Sequence, residues 1–478
     1  MPQPLSEEVL RQTFTEAGQG HVFTYFDSLT TEGKAKLLKQ LDTIDVNRVN
    51  RIFAKATTAP PHDKDAIDPL PFESFSSTLD PNDQPHVTDW RATGLRAIAQ
   101  GKVAVILLAG GQGTRLGSSS PKGCYDIGLP SHKSLFQIQA ERILQIQKIA
   151  QRNYPEIAST AIVPFYIMTS EPTRVETENF FKNNNYFGLN VQHVMFFNQG
   201  VLPAFTMDGK ILMEDKGVVA TAPDGNGGIY KALRREGVLA DLERRGIPYI
   251  HAYCVDNCLV KVADPVFIGY CVSKNAKCGV KVVPKQRASE PVGVVCLRDH
   301  KFAVVEYSEI PAELSNQLKD DGKTLMYNAA NIANHFYTTE FLNSIEEMEK
   351  TMEFHVAKKK IKHIDLATGT LIVPTANNGI KLELFIFDVF PFVEKLAVLE
   401  TPRKEEFSPL KNGPGSKDGD SPDTSRADVL AQHKRFIEAA GGTVVGDVEL
   451  SPLVTYGGEG LDKLNGVALQ GPKNIESL

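Results

Sequence analysis

The chain predicts an α/β fold built on a mainly parallel, mixed sheet, and three observations carry that expectation. Short apolar runs alternate with helical stretches from about residue 100 to 395, as when crossover helices cover a sheet on both faces. The run at 103–109 is wholly apolar and too short for a typical helix, which suits a strand buried on both sides. Glycine-rich turns and charged residues follow the ends of such runs, where ligands sit in open α/β sheets.

Taken in order, residues 5–56 read as helical. Leu5, Val9, Leu10 and Phe14, then Leu37, Leu38 and Leu41, fall at helical spacings, and Ser6 is placed to cap the first helix. Residues 57–86 carry Pro60, Pro61, Pro69, Pro71, Pro81 and Pro85 and predict an extended, irregular tether. Strands are expected at 103–109, 165–169, 193–197, 249–255, 292–297 and 302–306, with helices at 134–152, 173–183, 227–244, 264–275 and 339–350. Residues 412–425 are too polar to bury apolar surface and predict a mobile loop. A helix at 425–440 and short strands at 443–455 follow. The expected division is a helical N-terminal segment over 1–99, a central α/β domain over 100–399, and a small α+β C-terminal domain over 400–478.

Composition excludes several classes of function. A net charge of −6 over 478 residues gives no broad electrostatic footprint for nucleic acid, so an anion site has to be local. No apolar run approaches the roughly 18 residues of a membrane span. The start, Met-Pro-Gln-Pro-Leu-Ser-Glu-Glu, lacks the basic and apolar parts of a signal peptide, so a cytoplasmic protein is expected. Six cysteines in a chain this long do not make a disulfide framework and are expected as buried free thiols.

The chemistry concentrates after the first strand. Gly110, Gly111, Gly113 and Gly117 bare the backbone amides, and Arg115 and Lys122 add a fork donor and a point charge. Those are the parts of a polyphosphate cradle. A Walker A loop is excluded because no Lys-Ser/Thr closes it, and a dinucleotide fingerprint fails at Leu116. Further on, Gly225 and Asn226 open a helix, a feature that a plain capping turn explains almost as well. Gln199 can both donate and accept, as reading a uracil edge requires. Asp256, at a strand's carboxyl end, is placed to hold Mg2+ beside phosphates, with a structural cap as the competing reading. His251, in the same strand, reads as a core histidine. Glu306, Asn331 and Asn334 supply acceptors and amides suited to sugar hydroxyls and an acetamido group. Phe385 and Phe387 read as core packing, and Lys411 adjoins the polar loop.

The run Leu107-Leu-Ala-Gly-Gly-Gln-Gly-Thr-Arg-Leu-Gly, with Pro121-Lys-Gly, Tyr125-Asp-Ile-Gly-Leu-Pro-Ser, Phe136-Gln-Ile-Gln-Ala-Glu-Arg, Pro223-Asp-Gly-Asn-Gly-Gly, Tyr253-Cys-Val-Asp-Asn and Ser408-Pro-Leu-Lys-Asn, resembles the eukaryotic UDP-N-acetylglucosamine (UDP-N-acetylhexosamine) pyrophosphorylases in the same order. The resemblance runs through roughly residues 100–411. It implies a central Rossmann-like nucleotidyltransferase domain and a Mg2+-assisted reaction. In that reaction UTP and N-acetylglucosamine 1-phosphate give UDP-N-acetylglucosamine and pyrophosphate. By the same resemblance, Leu108, Ala109, Gly110, Gly111, Gln199, Gly225 and Asn226 would hold the nucleotide, and Asp256, Glu306 and Asn331 the sugar side. Arg115, Lys122 and Lys411 would act on the phosphates and Asp256 would bind the metal. A monomer is the expected state. Three alternatives are a broad-specificity UDP-sugar pyrophosphorylase, a UDP-sugar-binding regulatory protein without turnover, and a nicotinamide oxidoreductase disfavoured by Leu116.

Overall fold

The apolar runs of the central region become strands of one eleven-stranded sheet. In the computed structural model, which describes residues 4–58 and 66–478, these are β1 (Ile67–Asp68), β2 (Phe75–Ser77), β3 (Val103–Leu108), β4 (Phe165–Thr169), β5 (Val194–Asn198), β6 (Tyr249–Cys254), β7 (Cys278–Pro284), β8 (Val294–Arg298), β9 (Lys301–Val305), β10 (Ala329–Thr338) and β11 (Leu396–Glu400). The main order is β2-β11-β7-β10-β6-β3-β4-β5. Every neighbour pair on that path is parallel except those of β10, which runs antiparallel to β6 and β7. The sheet is therefore mixed and mainly parallel, as its apolar strands require. β3, apolar throughout, is buried along its whole length between β6 and β4.

The chain forms two compact units. The sheet lies in the unit made of Lys64–Asn198, Leu233–Glu346 and Val389–Leu478. There, helix Gln84–Ala99 crosses helix Pro265–Ser273 so closely that a Cβ on Gly269 would stand 1.7 Å from the Trp90 carbonyl oxygen. Only glycine allows that approach. The same unit ends in helix Pro422–Ala439 and a small separate core of Ile437, Val444, Val448, Leu450, Leu461, Leu464, Leu469 and Ile475.

The other unit gathers Met1–Asp63, Gln199–Ala232 and Glu347–Asp388. Its N-terminal helices are Glu7–Glu16, Thr31–Asp42 and Val46–Thr58. Ser6 caps the first as expected, accepting from the Val9 amide at 3.4 Å. Leu10, Phe14, Leu37 and Leu41 are buried, whereas Leu5 and Val9 are exposed. Gln19, also buried, ties this helical layer to a hairpin: its amide donates to the Gly209 carbonyl and its oxygen accepts from the Ile211 amide.

Three local expectations are corrected. The proline-rich tether is in part sheet: β2 lies parallel to β11 at the edge, where prolines outside the ladder do no harm, and β1 pairs with β8. Pro60 and Pro61 lie outside the described residues. The single helix expected at 227–244 is two, Ile229–Arg235 and Val238–Arg244, because Gly237 takes a φ of 79° that no helix continues through. Helix Gln84–Ala99 was not foreseen, although Trp90, Leu95 and Ile98 mark its buried face. Among the described residues no helix is long and apolar enough to cross a membrane. All six cysteines are free; Cys258, Cys271, Cys278 and Cys296 are buried, while Cys124 and Cys254 are half-buried.

Two buried histidines on the neighbouring strands β6 and β10 meet different fates. His251 on β6 accepts the Ala263 amide at Nδ1, so its proton sits on Nε2 and is donated to Asn334 Oδ1 at 2.6 Å. His335 on β10 stacks on Tyr337, and neither of its ring nitrogens has a hydrogen-bond partner among the described residues. Burial lowers the pKa of His335 to about 3. The unfolded chain then takes up a proton first as pH falls through about 6.5, so this residue costs stability increasingly down to about pH 3. His335→Phe is expected to stabilise the fold by about 1 kcal/mol at pH 7, because a desolvated polar ring is replaced by an apolar one. The gain should be larger at pH 5; urea melts at the two pH values measure both.

Candidate active site

The first glycine turn is shaped by its own backbone. β3 hands the chain over at Leu108, whose carbonyl accepts from the Val255 amide, while the Ala109 amide donates to the Met168 carbonyl on β4. Leu108 and Ala109 are thus buried parts of the sheet's rim. The Gly110 carbonyl is held by the Ser170 hydroxyl at 2.6 Å. Gly111 stands at the rim, and a Cβ there would meet nothing within 4 Å. The loop then closes on itself: the Gly113 amide donates to the Ser120 carbonyl at 2.9 Å, and the Lys122 amide to the Gly111 carbonyl at 3.1 Å. Leu116, where a dinucleotide fingerprint would need glycine, is buried and pins the loop to the core. Gly123 packs beneath the Phe136 ring, which a Cβ would strike at 2.2 Å. Arg115 is left on the exposed side of this turn.

β6 ends beside that turn. Lys122 Nζ lies 3.9 Å from Asp256 Oδ2, with 18% and 26% of the two side chains exposed. The stretch 406–411 is laced to the same place. The Leu410 amide donates to the Asp256 carbonyl and the Cys258 amide to the Ser408 carbonyl, both at 2.9 Å. Lys411 follows, exposed, its ammonium 3.6 Å from Asp420. Burial and then the Asp256 charge push the Cys254 thiol pKa up, while Lys122 and Lys411 pull it down. The loop after Lys411 also touches the glycine turn: a Cβ on Gly413 would come 2.9 Å from the Arg115 carbonyl oxygen. Lys122 and Asp256, far apart in sequence, are thus brought together, and backbone contacts bring the segments that carry Arg115 and Lys411 to the same turn.

A second group forms at the end of β9. The Asn331 amide donates to the Gly293 carbonyl at 2.9 Å, and a Cβ on Gly293 would come 3.1 Å from Glu306 Oε1. Glu306 and Asn331 therefore share one neighbour. The Asn331 side-chain oxygen accepts from the Ala333 amide, and Ala333 sits at φ 51° in the bulge of β10 against β7. Asn334 does not join them, being 1% exposed and turned onto His251.

Gln199, Gly225 and Asn226 belong to the other unit. Gly225 has a φ of 84° and backs onto Leu384, whose carbonyl oxygen a Cβ would strike at 2.1 Å. Asn226 Oδ1 accepts from the Ile386 amide at 2.9 Å, so its side chain first serves this turn. The same turn corrects the reading of Phe385 and Phe387 as core. Ile386 is the buried residue, and the two half-buried rings lie 5.1 Å apart beside Asn226. Their aromatic faces can cover a base or a sugar.

Two features were missed. Lys281, wholly buried on β7, pairs with Asp264 at 2.6 Å and with Glu406, which also meets Lys261 at 3.4 Å. Burial alone would lower the Lys281 pKa, but the two carboxylates outweigh it and hold it above the ordinary value. The signal was there: a lone lysine inside the apolar run Cys278–Pro284. The other is Asn257, whose side chain bonds three backbone groups. Among the described residues no group of three or more His, Cys, Asp or Glu side chains could by itself hold a metal. A single, partly exposed carboxylate beside a bare glycine turn still fits Mg2+, which usually takes one or two carboxylates with substrate oxygens and water.

The profile of the UTP--glucose-1-phosphate uridylyltransferase family matches residues 48–437. The UDP-N-acetylhexosamine pyrophosphorylase-like protein 1 of Xenopus tropicalis is 45% identical over 485 residues, spanning 96% of this chain and 94% of its own. The UDP-N-acetylglucosamine pyrophosphorylase of Saccharomyces cerevisiae is 45% identical over 471 residues, spanning 95% and 97%. The crystal structure of the uridine diphosphate N-acetylglucosamine pyrophosphorylase of Trypanosoma brucei superposes with a TM-score of 0.82 at 32% identity, over 97% of this chain and 95% of that one. Matched along nearly its whole length by relatives at 45% identity, the chain belongs to the UDP-N-acetylhexosamine pyrophosphorylases of the UTP--glucose-1-phosphate uridylyltransferase family.

Proposed function

We propose that the protein joins UTP and N-acetylglucosamine 1-phosphate into UDP-N-acetylglucosamine, releasing pyrophosphate, with Mg2+. The observation that carries the reading is the Lys122–Asp256 pair beside a bare glycine turn, tied through the Leu410 amide to the stretch that carries Lys411. The sugar phosphate is already an anionic nucleophile, so no side chain has to deprotonate it. What the reaction needs is two anions held in line and their charge offset. Arg115, Lys122 and Lys411 supply the offset, and the Gly110–Gly111 backbone lets the nucleotide come close. Leu108 and Ala109 form the floor of that rim. Gln199, Gly225 and Asn226 suit the uridine, Glu306 and Asn331 the sugar. Asp256 would hold Mg2+, which when bound would offset the charge of the phosphates. Six free thiols suit a reducing compartment, which supports a cytoplasmic enzyme.

Pyrophosphate release from UTP and Mg2+ with N-acetylglucosamine, N-acetylgalactosamine or glucose 1-phosphate tests the reading. N-acetylglucosamine 1-phosphate is expected to be used best. Equal rates on all three would support a broad UDP-sugar pyrophosphorylase. Binding of UDP-sugar without release would support a regulatory protein. For Asp256→Asn, half-maximal activity is expected at about tenfold or more higher Mg2+, because the remaining oxygen is a weaker, uncharged ligand. An unchanged Mg2+ titration removes Asp256 as the metal's holder.

A further inference from the structure

Asp256 and Lys411 are separated by more than 150 residues of chain, yet the side chain of the residue that follows Asp256 reaches the stretch that carries Lys411. Asn257 is 3% exposed and its side chain never reaches the opening. Its Oδ1 accepts from the Ser408 amide at 3.0 Å and from the Leu259 amide at 3.2 Å. Its Nδ2 donates to the Glu406 carbonyl at 2.8 Å. Around it the backbones of Asn257 and Pro409 form a bridge, with the Leu410 amide donating to Asp256 and the Cys258 amide to Ser408. The stretch 406–411 has little regular structure: after a single short helix, Arg403–Glu406, it runs extended to Lys411. Lys411 itself is held beyond it through its own amide, which donates to the Asp420 carbonyl at 2.7 Å. Side chains held this way matter because loss of an ångström of placement can cost a transfer reaction about a hundredfold.

We propose that Asn257 is a positioning residue: it fixes the Lys411 ammonium relative to the Asp256 carboxylate and acts on turnover only through Lys411. The inference rests on the uridylyltransferase reading above. A second fastening on the other side of the same stretch makes it separable from folding. Ser408, 2% exposed, donates its hydroxyl to Asp428 Oδ2 at 2.7 Å on helix Pro422–Ala439.

The test is a double-mutant cycle on pyrophosphate release with UTP, N-acetylglucosamine 1-phosphate and Mg2+, reading kcat and KM separately. Asn257→Ala is expected to lower kcat about tenfold or more in the parent, with a smaller change in KM. In the Lys411→Ala background the same change should cost less than about twofold, since what it positions is gone. A merely structural asparagine would give effects that multiply, and that outcome overturns the proposal. So does a Lys411→Ala variant with parental kcat, or an Asn257→Ala variant with parental kcat. If Asn257→Ala does not fold, Ser408→Ala replaces it in the cycle, with a fall in kcat of about threefold that again disappears without Lys411. Multiplying effects there overturn the proposal equally. A parent protein that releases no pyrophosphate from any sugar phosphate sinks the functional reading itself, whereas an active parent with multiplying effects sinks only the role of Asn257.

Discussion

Lys122→Ala is expected to lower turnover by about a hundredfold or more while leaving the fold within about 1 kcal/mol of the parent. The two halves of that expectation have separate grounds. For turnover, Lys122 is the cation nearest the carboxylate at the end of β6, anchored through its own amide to Gly111 at the open rim. A charge fixed in advance where negative charge accumulates is worth far more than the same charge in water. For stability, the contact with Asp256 is long at 3.9 Å and partly solvated, so little is lost when it goes. Arg115→Ala should follow the same pattern, because Arg115 is exposed and pins nothing in the core. Steady-state pyrophosphate release and a thermal melt on each purified variant check both halves. Parental turnover in both variants would remove the pair from the phosphate site.

Lys281→Met should do the opposite, costing about 3–5 kcal/mol of stability through a residue that lies within the core. Lys281 is 0% exposed between Asp264 and Glu406, and its loss leaves the buried group with one more carboxylate than it has lysines. Desolvation already opposes charge there, so an unmatched carboxylate is the most expensive remainder. Adding Glu406→Gln restores neutrality and is expected to recover part of the loss. Urea melts of the parent, the single and the double variant measure it. A Lys281→Met protein as stable as the parent would mean that the buried group is not energetically coupled.

The parts of this molecule that were legible in the sequence are those whose pattern is local. An unbroken apolar run has few fates, so β3, β4 and β6 fell within a residue or two of their expected limits. The glycine turn was legible because amides, a guanidinium and an ammonium occur together within a few residues. What stayed hidden depends on partners distant in sequence. Nothing around Phe75 says that it will lie beside β11, since that pairing is decided by a strand more than 300 residues on. Asn257 gave no signal of its own because its three partners are backbone groups, two of them supplied by residues 406 and 408. Phe385 and Phe387 were misread because alternation gives the period but not the face, and Ile386 took the inside.

The edge pairing of β2 with β11 has a consequence for the birth of the chain. The Ser77 hydroxyl donates to the Glu400 carboxylate and the Thr78 amide to the Glu400 carbonyl, so the early edge strand has no partner until its counterpart leaves the ribosome. At bacterial or eukaryotic synthesis rates that interval is on the order of half a minute. Throughout it, Phe75 and the unpaired rim behind it are open to chaperones and to one another's copies, so slowing translation between the two strands should raise aggregation in the nascent state without altering the finished protein.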